Sequence, residues 1–567
     1  MHRYCLAAHV LGLRRFHRSP SEYLQTHGLA VLFALNEGRA ETMADVDYII
    51  VGSGINALVA ASLLGRKGHK VLLLERNARI GGCIVTDEIT VPGFVHDVMA
   101  TTFVLFITSP AYAELGPDLE ERGLAFAHTD RPSAVLLPDE RHAIVTTDRA
   151  KNIEAFERLA AGDGVAHRKV MDAMGADAPF VFGLLGGSLW SRATAKLIAQ
   201  QAWKRGPRGL AAFFGEALGT ARAWLETDFR SEVTQALWAP WVLHTGLGPE
   251  SAYSGMMGKV IAFAIEAAGA PIVKGGARNI LSAFEKLIED QGGAIRTGVD
   301  VATILLDGQK ARGVRLADGT EIEATRGVIC STTPRQLYTR LLDPQSLPVP
   351  VAEGVRSYRH GKGNMQIHYA LSAPPQWRTP EIAGVALTHL TPGLDGVSRA
   401  ANEAERGMLP VVPTICVGQP AVLDPSRCPD GRSILWLQLP ETPRHIKGDA
   451  SGQIVTPADG KWTDEIRERY ADRVEAILAA QIDGFKASVL GRRVYAPSDL
   501  ETLNINLTGG DPYGGFCGID QSFLWRPFKG SVNHRTHIER LYHIGASTHP
   551  GPGLGGGSGY LLARSLR

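Results

Sequence analysis

Neither a metal-type cysteine pattern nor a redox dithiol runs through this sequence. Its six cysteines, Cys5, Cys83, Cys330, Cys416, Cys428 and Cys517, are scattered, with no CxxC and no zinc-like cysteine and histidine spacing. No metal is therefore expected, and the thiols suit a reducing compartment. Charge of one sign is not in excess: 59 Lys and Arg stand against 58 Asp and Glu. That balance gives no global field for nucleic acid. No run reaches the roughly 18 apolar residues of a spanning helix, and repeats and low-complexity tracts are missing. What remains is 567 residues with 44% hydrophobic content, ample for a large core divided among several domain-sized units.

Acids are also missing from the first residues, before Glu22, where Arg3, Arg14, Arg15 and Arg18 accompany an apolar CLAAHVLGL. Two readings of residues 1–43 stand. One is a targeting segment, which would place the protein in the mitochondrial matrix; the other is a start called too early, because MADVDYIIVG from Met43 is an ordinary beginning. Under the second reading the expected location is cytoplasmic.

The stretch DYIIVGSGINALVAASLLGRKGHKVLLLE, Asp47 to Glu75, reads as strand, glycine turn, helix and strand. Gly52 permits the tight turn, Gly54 lets backbone approach a pyrophosphate, and Ala57 is small enough for close helix–strand packing. Glu75 ends the second strand, where a carboxylate accepts from ribose hydroxyls. After Arg76 come Gly81 and Gly82, a second glycine stretch that a nicotinamide-nucleotide fold does not ordinarily need.

Far downstream, GGARNILSAFEKLIEDQGGAIRTGVDVATILLDGQKARGVRLADGTEIEATRGVICST predicts an amphipathic helix, a strand ending near Val301, a hairpin turning at Asp318 and Gly319, and a buried strand into Cys330. Residues 150–265 read as mostly helical. The C-terminal RLYHIGASTHPGPGLGGGSGYLLARSL reads as a buried strand, a glycine turn and a helix start aimed at a negatively charged ring edge.

These motifs together resemble the phytoene desaturase-like branch of the flavin amine oxidase superfamily, across Val46 to Leu566. The resemblance implies an α/β protein: a Rossmann-like FAD-binding domain of discontinuous segments (44–150, 266–345 and 496–567) with an interleaved α+β substrate domain (151–265 and 346–495). It implies FAD held by Gly52, Gly54, Ala57, Glu75, Arg76 and the backbone at Val301. The ring would lie beside Gly81, Gly82 and the turn from Gly545 to Gly557, including Gly553, Leu554 and Gly555. Cys83 departs from the Arg or Ala common after the glycine pair.

The resemblance further implies dehydrogenation of an apolar, isoprenoid-like substrate, with an unknown electron acceptor. A flavin amine oxidase, a flavin-loaded regulatory protein and a prenyl-binding escort remain alternatives; retention of Glu75 and the full C-terminal turn argues against the last. Because the flavin takes the hydride, little acid–base apparatus is required. His549 and Asp97 are the candidate catalytic residues, with His96 and Tyr513 behind them. His244, Trp238, Trp241, Phe263 and Met256 fit either a substrate tunnel or plain core. Finally, residues 178–215 hold no acid but carry Arg192, Lys196, Lys204, Arg205 and Arg208 together with Trp190 and Trp203. That combination suits peripheral contact with anionic lipid.

Overall fold

The computed structural model describes residues 46–567; the N-terminal stretch that the targeting reading concerns lies outside the described residues. The β-branched run Ile49, Ile50 and Val51 makes strand β1 (Tyr48–Val51), buried at every position. Such a strand is covered on both faces, as in parallel sheets. Beside it lie β2 (Val71–Leu74), β3 (Ala294–Arg296), β4 (Gly327–Ser331) and β5 (Leu541–Ile544). All five are parallel, in the order β5-β4-β1-β2-β3. Three distant stretches of chain thus build one sheet, whose carboxyl ends gather Gly52, Glu75, Ser331 and Gly545.

The opening helix Ile55–Arg66 is buried from Ile55 through Leu64, and its alanines let it lie close on the sheet. The closing helix Gly557–Ser565 crosses it closely: a Cβ at Gly559 would fall 1.9 Å from Asn56 O.

One strand differs from expectation. The chain does not end a strand near Val301 but begins one there, Val301–Asp307, because it leaves β3 through Gly298 at φ +69° and turns past Glu75. The predicted hairpin is present, Lys310–Leu316 pairing with Glu321–Glu323 around Gly319 at φ +92°.

A second sheet has seven strands, in spatial order Val489–Tyr495, Gly363–Leu371, Ser433–Thr442, Ile415–Gly418, Leu387–Leu390, Ser133–Leu136 and His142–Val145. Its last two strands move part of the first expected FAD segment, 44–150, into this sheet. The hairpin turning at Glu140, φ +67°, pairs with the strand Leu387–Leu390, a partner too distant to read locally. One face of the sheet, with Ile367, Tyr369, Val417 and Leu437, packs on the helix Asp464–Gln481. The other face, with Val135, Leu387, Cys416 and Trp436, meets the helical stretch that carries Trp224, Leu237 and Trp241.

Candidate functional site

Gly52 sits at φ +91°, and a Cβ there would lie 3.0 Å from Ser331 O; only glycine makes this turn against β4. At Gly54 a Cβ would meet no atom within 4 Å. The glycine is therefore not there for protein packing, and the open cradle fits a pyrophosphate. No side chain caps the opening helix at Gly54, so its first amides are left for an anion.

Glu75 is buried, at 7% exposure. Its Oε2 accepts from Ser53 Oγ at 2.6 Å and Ser53 N–H at 3.1 Å, and its Oε1 accepts from Asn77 N–H at 2.8 Å. A carboxylate has about four acceptor positions, so capacity remains for a ribose hydroxyl. Ser53 Oγ also accepts from Gly81 N–H at 3.0 Å, and a bridge pairs Gly54 with Gly81. The second glycine stretch thereby lies against the first: Gly82, at φ +62°, would place a Cβ 3.1 Å from Gly54 Cα. Arg76 is half-exposed, 3.9 Å from Asp300. Val299 N–H bonds Glu75 O at 2.9 Å, bringing the start of the Val301 strand beside Glu75 and Arg76.

At the other end of the chain, Gly545 N–H donates to Ser558 Oγ at 2.8 Å, and Asn56 Oδ1 accepts from Ser558 Oγ at 2.8 Å and Ser558 N–H at 3.1 Å. Asn56 therefore joins the starts of both helices. Gly553 and Gly555 pass so close to Leu105 that a Cβ would meet Leu105 Cδ1 at 2.7 Å and Leu105 O at 3.1 Å, and Leu554 packs on the core. Ser53, Asn56 and Ser558 were not among the expected site residues. A buried polar residue at the head of an apolar helix, as in INALVAASLL, is the local signal for Asn56.

His549 is buried at 5% exposure; its Nε2–H donates to Gly187 O at 2.9 Å, and its carbonyl accepts from His534 Nε2 at 2.8 Å. Burial pushes its pKa down to about 4, so the ring is neutral, and Nδ1, without a partner among the described residues, carries the lone pair. Asp97 differs from expectation. It accepts from Thr86 Oγ1 at 2.6 Å, Ala277 N–H at 2.8 Å and the buried Arg427 at 3.0 Å, with Thr101 Oγ1 at 3.4 Å. Both oxygens are taken, and the residue is a clamp between segments rather than a proton acceptor.

His96 bonds Thr90 Oγ1 at 2.8 Å, and burial pushes its pKa down to about 4. Tyr513 donates to Leu243 O at 2.7 Å. Burial pushes the Cys83 thiol up to about 11, which keeps it protonated at neutral pH. Trp238 is core, stacked 6.1 Å from His167, while Phe263 and Met256 pack on Met174, Val181 and Val260. His244 and Trp241 instead lie at the sheet face beside His389. That face reaches the glycine pair through the stretch 98–100: Trp436 Nε1 donates to Met99 O at 3.2 Å, and Ala100 N–H bonds Cys83 O at 3.2 Å.

Comparison with known proteins bears on the family and the fold. The model of the family described as flavin containing amine oxidoreductase matches residues 58–439. The chain is 26% identical to mouse pyridine nucleotide-disulfide oxidoreductase domain-containing protein 2, over 91% of this chain and 92% of that protein. It is 23% identical to a limonene dehydrogenase subunit of Castellaniella defragrans, over 92% and 94%. With the zeta-carotene-forming phytoene desaturase of Myxococcus xanthus it shares 24%, over 89% and 90%. Among solved structures, wild-type putrescine oxidase bound to putrescine has the same fold, with a TM-score of 0.58 at 15% identity, covering 92% of this chain and 99% of that one.

Proposed function

The chain belongs to the flavin containing amine oxidoreductase family and is an FAD-dependent oxidoreductase, and from that premise we propose that it dehydrogenates an apolar, isoprenoid-like substrate. The observation that carries the reading is the composition of the sheet face next to the glycine pair. Val135, Leu387, Trp241 and Trp436 make it apolar and aromatic, and Asp97, on the strand beside Cys83, is already paired with Arg427. Relatives named for limonene dehydrogenation and phytoene desaturation support the same substrate class.

Bound FAD supplies the hydride acceptor. The protein's own part is positional. Gly52, Gly54 and the uncapped helix start would hold the pyrophosphate, Glu75 with Ser53 behind it would hold the ribose, and the Gly545 to Gly557 turn, braced by Asn56 and Ser558, would carry the ring. The apolar packing of Val135, Leu387, Trp241 and Trp436 keeps water from the region beside the glycine pair. His549, neutral and with a free Nδ1, is the candidate still able to accept the proton left behind. A lipid-soluble substrate calls for entry from a membrane face, and the arm at residues 178–215 offers one; no helix among the described residues is long and apolar enough to cross a bilayer.

The test is anaerobic mixing of the holoprotein with limonene, phytoene and putrescine while its visible flavin band is followed. Bleaching by a terpene or polyene is expected. Bleaching by putrescine alone would replace this reading with amine oxidation, the activity to which the fold likeness points.

A further inference from the structure

His244, His389 and Cys416 come together from three separate elements. His244 is in the 3-10 turn Ala239–Thr245, His389 is in the strand Leu387–Leu390, and Cys416 stands directly opposite His389 in antiparallel register. The two imidazoles meet Nε2 to Nε2 at 2.9 Å, and the three residues bring ligand atoms within 4.8 Å of one another. Trp241 packs on both rings at 4.9 Å, holding their planes. His389 and Cys416 are fully buried, and His389 Nδ1 has no hydrogen-bond partner among the described residues.

We infer that His244, His389 and Cys416 form a binding site for one soft or borderline metal ion of the Cu+ or Zn2+ class. Two imidazoles and a thiolate are the donors such ions select, and hard oxygen-seeking cations are excluded. Metal–nitrogen and metal–sulfur bonds of about 2.0 and 2.3 Å bridge at most about 4.3 Å, so the set must contract by about 0.5 Å from its present 4.8 Å spread. On binding, Cys416 forms a metal–sulfur bond and its S–H proton leaves to solvent, and the imidazole that carries the proton of the Nε2–Nε2 hydrogen bond shifts to its Nδ1–H tautomer, so that both Nε2 lone pairs face the ion. With Cu+ the resulting site is neutral, and with Zn2+ it carries one positive charge. No carboxylate belongs to the cluster, and a net charge buried among tryptophans is costly, so Cu+ is the favoured occupant.

The holoprotein, purified with its FAD and dialysed without chelator, is analysed for copper and zinc. Metal-depleted holoprotein is then titrated anaerobically with Cu+ against a competing chelator, and separately with Zn2+ and Co2+. The expected result is about one ion per chain, with tighter binding of Cu+. C416S and H389Q should weaken binding by about 100-fold or more, since loss of outer-shell partners alone costs 10–100-fold. Unchanged FAD content certifies that the variants fold. Ligand-field absorption of Co2+ in the unmutated protein is an independent readout should a variant misfold. Retention of zinc in place of copper upholds the site and reassigns its ion. Absence of stoichiometric binding by Cu+, Zn2+ and Co2+, or binding unaffected by both substitutions, overturns the inference.

Discussion

Asn56 Oδ1 accepts the backbone N–H of Ser558 at 3.1 Å and its hydroxyl at 2.8 Å, a contact between residues 502 apart in sequence. It fastens the start of the opening helix, at the proposed pyrophosphate cradle, to the start of the closing helix, at the proposed flavin turn. Ser558 Oγ in turn receives Gly545 N–H at 2.8 Å. One amide thus sets the spacing between the two ends of the cofactor site.

Asn56→Ala should therefore loosen FAD rather than merely destabilise the chain. It strands the Ser558 and Gly559 donors in the interior, at about 1–3 kcal/mol for each buried unsatisfied group. The expected outcome is a lower flavin content after gel filtration and a melting temperature that excess FAD raises more than in the unmutated protein. Equal flavin retention would show that the contact is structural only.

Asp97→Asn tests the clamp. Arg427 is fully buried and shares its charge between Asp97 at 3.0 Å and Asp424 at 2.9 Å. Removing one anion from a buried pair typically costs about 3–5 kcal/mol. The unfolding free energy from denaturant melts should fall by that amount while the surviving folded protein keeps its flavin spectrum. A lost turnover with unchanged stability would return Asp97 to the chemistry.

The features legible in the sequence are the local ones. Gly52, Gly54 and Glu75 fall within one strand–helix–strand unit, and the glycines after Gly545 follow directly on a strand, so spacing alone locates them. The hidden features depend on partners far along the chain. Asp97 looks free until Arg427 arrives from 330 residues away. The hairpin at 133–145 looks like part of the nucleotide domain until Leu387–Leu390 pairs with it. Arg205 reads as one more surface cation, yet it is paired with Asp177 and stacked 4.8 Å from the Phe213 ring.

Glu441 gives the pH dependence. It is fully buried; Oε1 accepts Thr414 N–H at 2.8 Å, Oε2 has no partner, and burial pushes its pKa up to about 7 from 4.5. Below pH 4.5 both folded and unfolded chains hold the proton, and Glu441 contributes no slope. Between 4.5 and about 7 only the folded chain holds it, so stability falls as pH rises, and above 7 the penalty is complete. Glu441→Gln removes the ionisation, and its stabilising effect should grow from near zero at the acid end to as much as about 3 kcal/mol above pH 7. Denaturant melts of both proteins across this range check it; a constant difference would assign the effect to packing.

The arm at residues 178–215 yields the last prediction. The helix Arg192–Ala217 buries only Thr194, although Ile198, Trp203 and Phe214 are among its exposed side chains, Trp203 at 92%. Arg192, Lys196, Lys204 and Arg208 are exposed with them. Arg192 and Lys196 lie four apart and share a face, and Lys204 and Arg208 flank the break at Gly206, φ +71°, where the two halves of the helix meet. A core helix would bury its apolar residues; this one offers them together with cations, as an interfacial helix does. The arm is also tied to the flavin turn through Gly187 O and His549, and Trp190 N–H bonds Asn533 Oδ1 at 3.2 Å, so a membrane-bound arm would sit next to the site it feeds. Each cation near an anionic surface contributes about 1 kcal/mol. K196E/K204E/R208E should then lower binding to phosphatidylserine vesicles by more than about 100-fold, and Trp203→Ala should weaken it without altering its salt dependence. Arg205 is left unmutated because its pairing with Asp177 holds the arm together. Co-sedimentation that is the same with neutral and anionic vesicles, or unchanged in the triple variant, would sink the membrane reading and leave the arm a solvent-facing cover.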